Sequence, residues 1–120
     1  MVTSKETALV IEDEDEARAA LTQILEFEGF RVEAFPNGAA ALDYLAKSEA
    51  PCLILLDIRM PVMDGRQFRT AMLRDTRLAN VPVVIVTALD PSAAAGMSAL
   101  RGLRKPINAD ALLSVVRENC

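Results

Sequence analysis

The chain has 120 residues and a formal net charge of -4, with 52% hydrophobic and 25% charged residues. This composition suits one globular domain, 1–120, with a single core, and its apolar runs are far too short to cross a bilayer. The absence of histidine excludes an imidazole base, a histidine metal ligand and a phosphohistidine, and the net negative charge argues against direct nucleic-acid binding.

Ala8 to Ile11 is a short apolar run that reads as a buried strand ending at Glu12-Asp13. Asp15 is placed to cap the helix that follows, in which Ala17, Leu21, Ile24 and Leu25 recur at helical spacing until Gly29. Arg31 to Phe35 reads as a second strand, and Asn37 as the cap of a helix carrying Ala41, Leu42 and Leu45 on one face. Cys52 to Leu56 is apolar on both faces, which predicts a central strand of a parallel sheet. Asp64-Gly65 opens a helix to about Leu73, with Phe68, Met72 and Leu73 inward. Pro82 to Val86 is a fourth strand and residues 101–105 a weaker fifth, at a sheet edge. Ala109 to Arg117 closes the chain as a helix with Leu112, Leu113 and Val116 inward.

Alternating strands and helices predict an α/β fold, a parallel sheet covered on both faces, with ligand chemistry outside the carboxyl ends of the strands. The residues at those ends are Glu12 and Asp13, Asp57, Thr87 and Lys105. Three carboxylates in one pocket repel unless a cation compensates, and Mg2+ with oxygen ligands suits them. A metal, an ammonium and a hydroxyl are the groups that stabilise a phosphoryl unit, and an aspartate can accept one as an aspartyl-phosphate.

The acids are concentrated early: residues 1–50 hold eleven acids and four bases, residues 51–120 six and nine. Arg66, Arg69, Arg74 and Arg77 read as a solvated helix face. Met-Val-Thr-Ser-Lys-Glu lacks the apolar stretch of a signal peptide, so a cytoplasmic protein that avoids membranes is expected. In that compartment Cys52 and Cys120 are expected as free thiols, one packed and one terminal.

VIEDED at 10–15, LLDIRMPVMDG at 55–65, VPVVIVTA at 81–88 and KP at 105–106 stand in the order of a known family. With these motifs the sequence resembles the receiver domain of bacterial two-component response regulators over nearly its whole length. The resemblance implies a doubly wound, flavodoxin-like fold of five parallel strands in order 2-1-3-4-5. It implies Asp57 as phosphoacceptor, with Thr87 and Lys105 meeting the phosphoryl oxygens. It further implies Asp13 and Asp57 as Mg2+ ligands, Glu12 acting partly through metal-bound water, and the Arg59 main-chain carbonyl as a third ligand. The implied partners are a sensor histidine kinase or histidine phosphotransfer protein, an unidentified downstream protein, and a second copy in a phosphorylation-dependent homodimer. Self-phosphorylation from a phosphohistidine donor and autodephosphorylation are expected, with Arg59 and Leu89 at the positions that tune the latter; independent enzymatic turnover is not.

The chain departs from the pattern between Thr87 and Lys105, a segment about one helical turn short. The helix that the family places there is therefore expected to be shortened or irregular, and residues 89–101 to be the most mobile internal part. Gly102 stands where many receivers carry an aromatic ring, so that rotameric switch is lost. Met97, Leu100 and Leu103 either pack inward or form an exposed patch. A receiver-like binding module with phosphorylation-independent output is the alternative reading. An aspartyl phosphatase fits poorly, because Arg59 stands where its general acid is wanted.

Overall fold

The computed structural model describes residues 7–60, 62–88 and 101–120. Its elements run β1 (Thr7–Ile11), α1 (Asp15–Phe27), β2 (Arg31–Phe35), α2 (Gly38–Leu45), β3 (Leu53–Asp57), α3 (Gly65–Leu73), β4 (Val83–Thr87), β5 (Arg101–Arg104) and α4 (Ala109–Asn119). The five strands form one sheet in order β2-β1-β3-β4-β5, with every pairing parallel. This is the expected flavodoxin-like receiver architecture.

Every residue of β3 and β4 is buried, because helices cover both faces of the central strands. One face packs Leu9, Ile11, Ile54 and Leu56 against Phe68 and Met72 of α3 and Leu45 of α2. The other packs Val10, Leu55 and Val86 against Leu21 and Leu25 of α1 and Leu112 and Val116 of α4. Each fully buried aliphatic side chain contributes on the order of 2 kcal/mol, so two apolar faces supply the main driving force for the sheet. β5 forms the edge, and Leu103 turns inward to the second cluster. The expected irregularity and mobility at 89–100, and Met97 and Leu100, lie outside the described residues.

Local chemistry sets the helix starts. Asn37 caps α2 by accepting from the Ala40 amide at 2.8 Å, and Asn108 caps α4 through the Ala111 amide at 3.0 Å. Asp64 and Gln67 form a capping box at α3. Gly65 then lets α3 approach β3: its amide donates to the Ile58 carbonyl at 2.7 Å, and a Cβ there would collide with the Asp57 carbonyl oxygen.

Several local expectations are corrected. Asp15 is the first residue of α1 rather than its cap; Glu14 holds the cap position, without a side-chain bond to the helix. Leu73 is 44% exposed, and on α4 Val115 is buried where Leu113 is only partly so. The arginines do not form a uniform solvated face. Arg69 is buried beside Met72, and Arg77 donates to the Leu45 and Ser48 carbonyls, satisfying the free end of α2.

The cysteines are not free thiols. Cys52, just before β3, and Cys120, just after α4, are joined in a disulfide with Cα atoms 5.5 Å apart. The pairing arises because α4 runs back along the sheet and ends against the root of β3, among the side chains of the second cluster. Among the described residues no helix is long and apolar enough to cross a membrane.

Candidate functional site

The parallel register brings the strand ends to one edge of the sheet. Ile11 pairs with Leu56, so Glu12 lies beside Asp57; Asp57 pairs with Val86, so Thr87 follows immediately on the next strand. Thr87 in turn pairs with Arg104, and the Lys105 amide donates to the Thr87 carbonyl at 2.8 Å. Glu12, Asp57 and Thr87 are all buried, whereas Asp13 is exposed at the rim. All five expected side chains thus converge from four separate strand ends.

The polar groups of Glu12 are held individually. Its amide donates to the Phe35 carbonyl at 3.0 Å, and its carboxylate Oε2 accepts from the Glu14 amide at 3.1 Å. Its Oε1 receives no well-directed hydrogen bond but lies 2.6 Å from the Lys105 ammonium. Lys105 also donates to Asp57 Oδ2 at 3.4 Å. One ammonium therefore faces two buried carboxylates, and the site carries excess negative charge.

Burial raises Glu12 above its ordinary value of 4.5, despite the opposing ion pair with Lys105, and the Asp57 charge adds to the rise. Asp57 is likewise raised above 3.8 by burial, with Lys105 opposing and the Asp13 charge reinforcing. Burial alone would lower Lys105, but its ion pair with Glu12 and the Asp57 charge outweigh this and hold it above 10.5. The ammonium is therefore firmly protonated.

One carboxylate oxygen from each of Glu12, Asp13 and Asp57 lies within 4.8 Å of the others. An all-oxygen set with a buried, weakly satisfied acceptor and excess negative charge fits Mg2+. Arg59 and Arg66 line an open depression of about 630 Å3 beside Asp13 and Asp64. Arg59 is exposed there, two residues beyond Asp57.

This charge balance sets a pH dependence. A carboxyl whose folded pKa lies above its unfolded one makes the folded state bind more protons, so stability falls as pH rises from about 4 through the folded value. Asp57→Asn removes that penalty. The variant is expected to be more stable than the wild type in metal-free buffer at pH 7, by on the order of 1 kcal/mol, with the gap closing toward pH 4. Mg2+ should stabilise the wild type far more than the variant. Urea denaturation at several pH values, with and without Mg2+, checks both signs.

Comparison with known proteins agrees with this geometry. A statistical description of the response regulator receiver domain family matches residues 8–117. Response regulator Rre1 of Synechocystis sp. is 34% identical over 114 residues, covering 91% of this chain and 49% of that protein. Protein PilH of Pseudomonas aeruginosa is 30% identical over 112 residues, covering 90% of this chain and 92% of PilH. The chain thus spans about half of one relative and nearly all of the other. Among solved structures, the signal receiver domain of a signal transduction histidine kinase from Syntrophus aciditrophicus superposes with a TM-score of 0.85 at 28% identity. That match covers 94% of this chain and 88% of the other.

The chain belongs to the response regulator receiver domain family. It is a phosphoaccepting signalling domain whose Glu12, Asp13 and Asp57 form the acidic Mg2+-binding cluster of such domains.

Two features of the site have no clear sequence signal: the paired contacts of Lys105 with both Glu12 and Asp57, and the contact of Arg18 with the Glu12 carbonyl. A lysine beside a proline, or an arginine six residues further along the chain, says little until the fold brings its partners close.

Proposed function

We propose that Asp57 is the phosphoacceptor and that the donor is a phosphohistidine on a sensor histidine kinase or histidine phosphotransfer protein. The observation that carries this reading is an Asp at the end of a fully buried strand, within a three-carboxylate cluster and 3.4 Å from a protonated lysine. An Asp57 carboxylate oxygen attacks phosphorus, the phosphorus–nitrogen bond to the donor imidazole breaks, and the imidazole leaves with the bonding pair and takes up a proton. Glu12, Asp13, Asp57 and the Arg59 carbonyl would hold Mg2+, which when bound neutralises charge on the phosphoryl oxygens.

The acylphosphate adds negative charge where Lys105 already sits, drawing the ammonium from Glu12 toward the new oxygens. The Thr87 hydroxyl hydrogen-bonds a phosphoryl oxygen from the neighbouring strand end. Because the Lys105 amide is bonded to the Thr87 carbonyl, movement of either residue is passed to the β4 and β5 ends. Water later attacks phosphorus, the bond to the Asp57 oxygen breaks, and inorganic phosphate leaves while Asp57 returns to a free carboxylate, with Arg59 at the edge of that path. A groove of about 570 Å3 between α1 and the β5–α4 loop borders Lys105, with Ala17, Leu21, Ile24 and Ile107 in its walls. It offers apolar surface beside the acceptor pocket on which a donor protein can seat. The domain works in the cytoplasm beside such donors.

The test is incubation with Mg2+ and a small acyl-phosphate donor. The wild type should gain one hydroxylamine-labile phosphoryl group, chelation of Mg2+ should stop the reaction, and Asp57→Asn should remain unlabelled. Folded Asp57→Asn protein labelled as fast as wild type would sink the assignment.

A further inference from the structure

We propose that Arg18 is a positioning residue for the divalent ion, acting as a clamp that fixes the main chain of Glu12 and Asp13 so that both carboxylates face Asp57. The inference rests on the Mg2+-dependent reading of the site and adds a residue outside the pocket to it. Arg18 is the fourth residue of α1, six residues beyond Glu12. Its Nη1 donates to the Glu12 carbonyl at 2.9 Å and to the Asp13 carbonyl at 3.4 Å. Its Nη2 is paired with Asp15 Oδ1 at 2.6 Å, which fixes the plane of the guanidinium.

This grip completes the restraint of Glu12. Its amide is held by β2, its Oε2 by the Glu14 amide, and its carbonyl by Arg18, leaving Oε1 to face Lys105. Asp13 has fewer restraints: its side chain is exposed, and among the described contacts its carbonyl is held only by the same guanidinium. A planar fork can span two successive carbonyls while facing a carboxylate, whereas an ammonium has no such fixed geometry. Positioning partners of metal-ligating residues commonly alter affinity about tenfold when removed.

The sign of the effect separates this role from plain electrostatics. Removing a positive charge beside an acidic pocket should tighten Mg2+ binding through Coulomb attraction alone. Loss of the clamp should weaken it, because Glu12 and Asp13 must be ordered at the moment of binding.

Calorimetric titration of Mg2+ into the full chain, wild type and Arg18→Ala, with the melting midpoint of each metal-free protein, is the test. The expected result is affinity weakened about fivefold or more in Arg18→Ala, with Arg18→Lys recovering part of the loss. Affinity that is unchanged or tighter in Arg18→Ala, even with a lowered midpoint, would show that Arg18 serves only helix stability and would overturn the proposal. If Arg18→Ala does not fold, Arg18→Lys decides: a measurable weakening supports the clamp, and wild-type affinity overturns it. A wild type that binds no Mg2+ would overturn the metal reading itself, and the clamp with it.

Discussion

Reducing the Cys52–Cys120 disulfide is expected to lower stability by about 4 kcal/mol and the melting midpoint by about 15 °C. The bond joins residues 68 apart in sequence, and closing a loop of that length removes much conformational freedom from the unfolded chain. The folded state needs little rearrangement on reduction, because Leu112, Val115 and Val116 remain buried against the sheet and hold α4 in place. The stability change should therefore appear with a near-native circular dichroism spectrum. Thermal melts with and without reductant, together with a Cys52→Ser, Cys120→Ser double variant, measure it. Melting midpoints within about 2 °C of each other would show that the bond adds almost nothing.

Lys105→Met should act in the opposite direction to Asp57→Asn. It deletes the ammonium that faces Glu12 at 2.6 Å and Asp57 at 3.4 Å, leaving two buried carboxylates without a cation. Breaking a buried pair in this way is costly, although proton uptake by the carboxylates limits the loss; about 2 kcal/mol in metal-free buffer at pH 7 is expected. Mg2+ then has no competing cation, so it should bind the variant more tightly and recover more stability than in wild type. Labelling at Asp57 should persist, while the change that labelling induces around Thr87 should be lost. Urea denaturation and Mg2+ titration read the first two outcomes. A variant as stable as wild type without metal would show that Lys105 does not balance the acidic cluster.

The two central strands and the strand-end site were legible in the sequence for a common reason. A five-residue apolar run such as Cys52 to Leu56, followed by Asp57, fits a strand covered on both faces, and parallel topology then places every strand end on one edge. β5 was harder to read because Arg101, Gly102 and Arg104 break its apolar pattern; its place at the edge depends on pairing with Val84 to Thr87. The disulfide was not legible, because cysteines 68 residues apart meet only once α4 has packed back along β3. Nor was the burial of Arg69: an arginine on a helix reads as solvated until its neighbours are known. The expectation of Asp15 as a cap failed because Glu14, though without a side-chain bond to the helix, adopts the extended backbone that precedes the first turn.

The most direct test of the central claim is to locate the phosphoryl group. Protein treated with a small acyl-phosphate donor and Mg2+ is reduced with borohydride, which converts an aspartyl-phosphate into homoserine, and its peptides are sequenced by mass spectrometry. Homoserine at position 57 alone, lost when Mg2+ is chelated, is the predicted result; homoserine at Asp13 or Asp64 with Asp57 unchanged would contradict it.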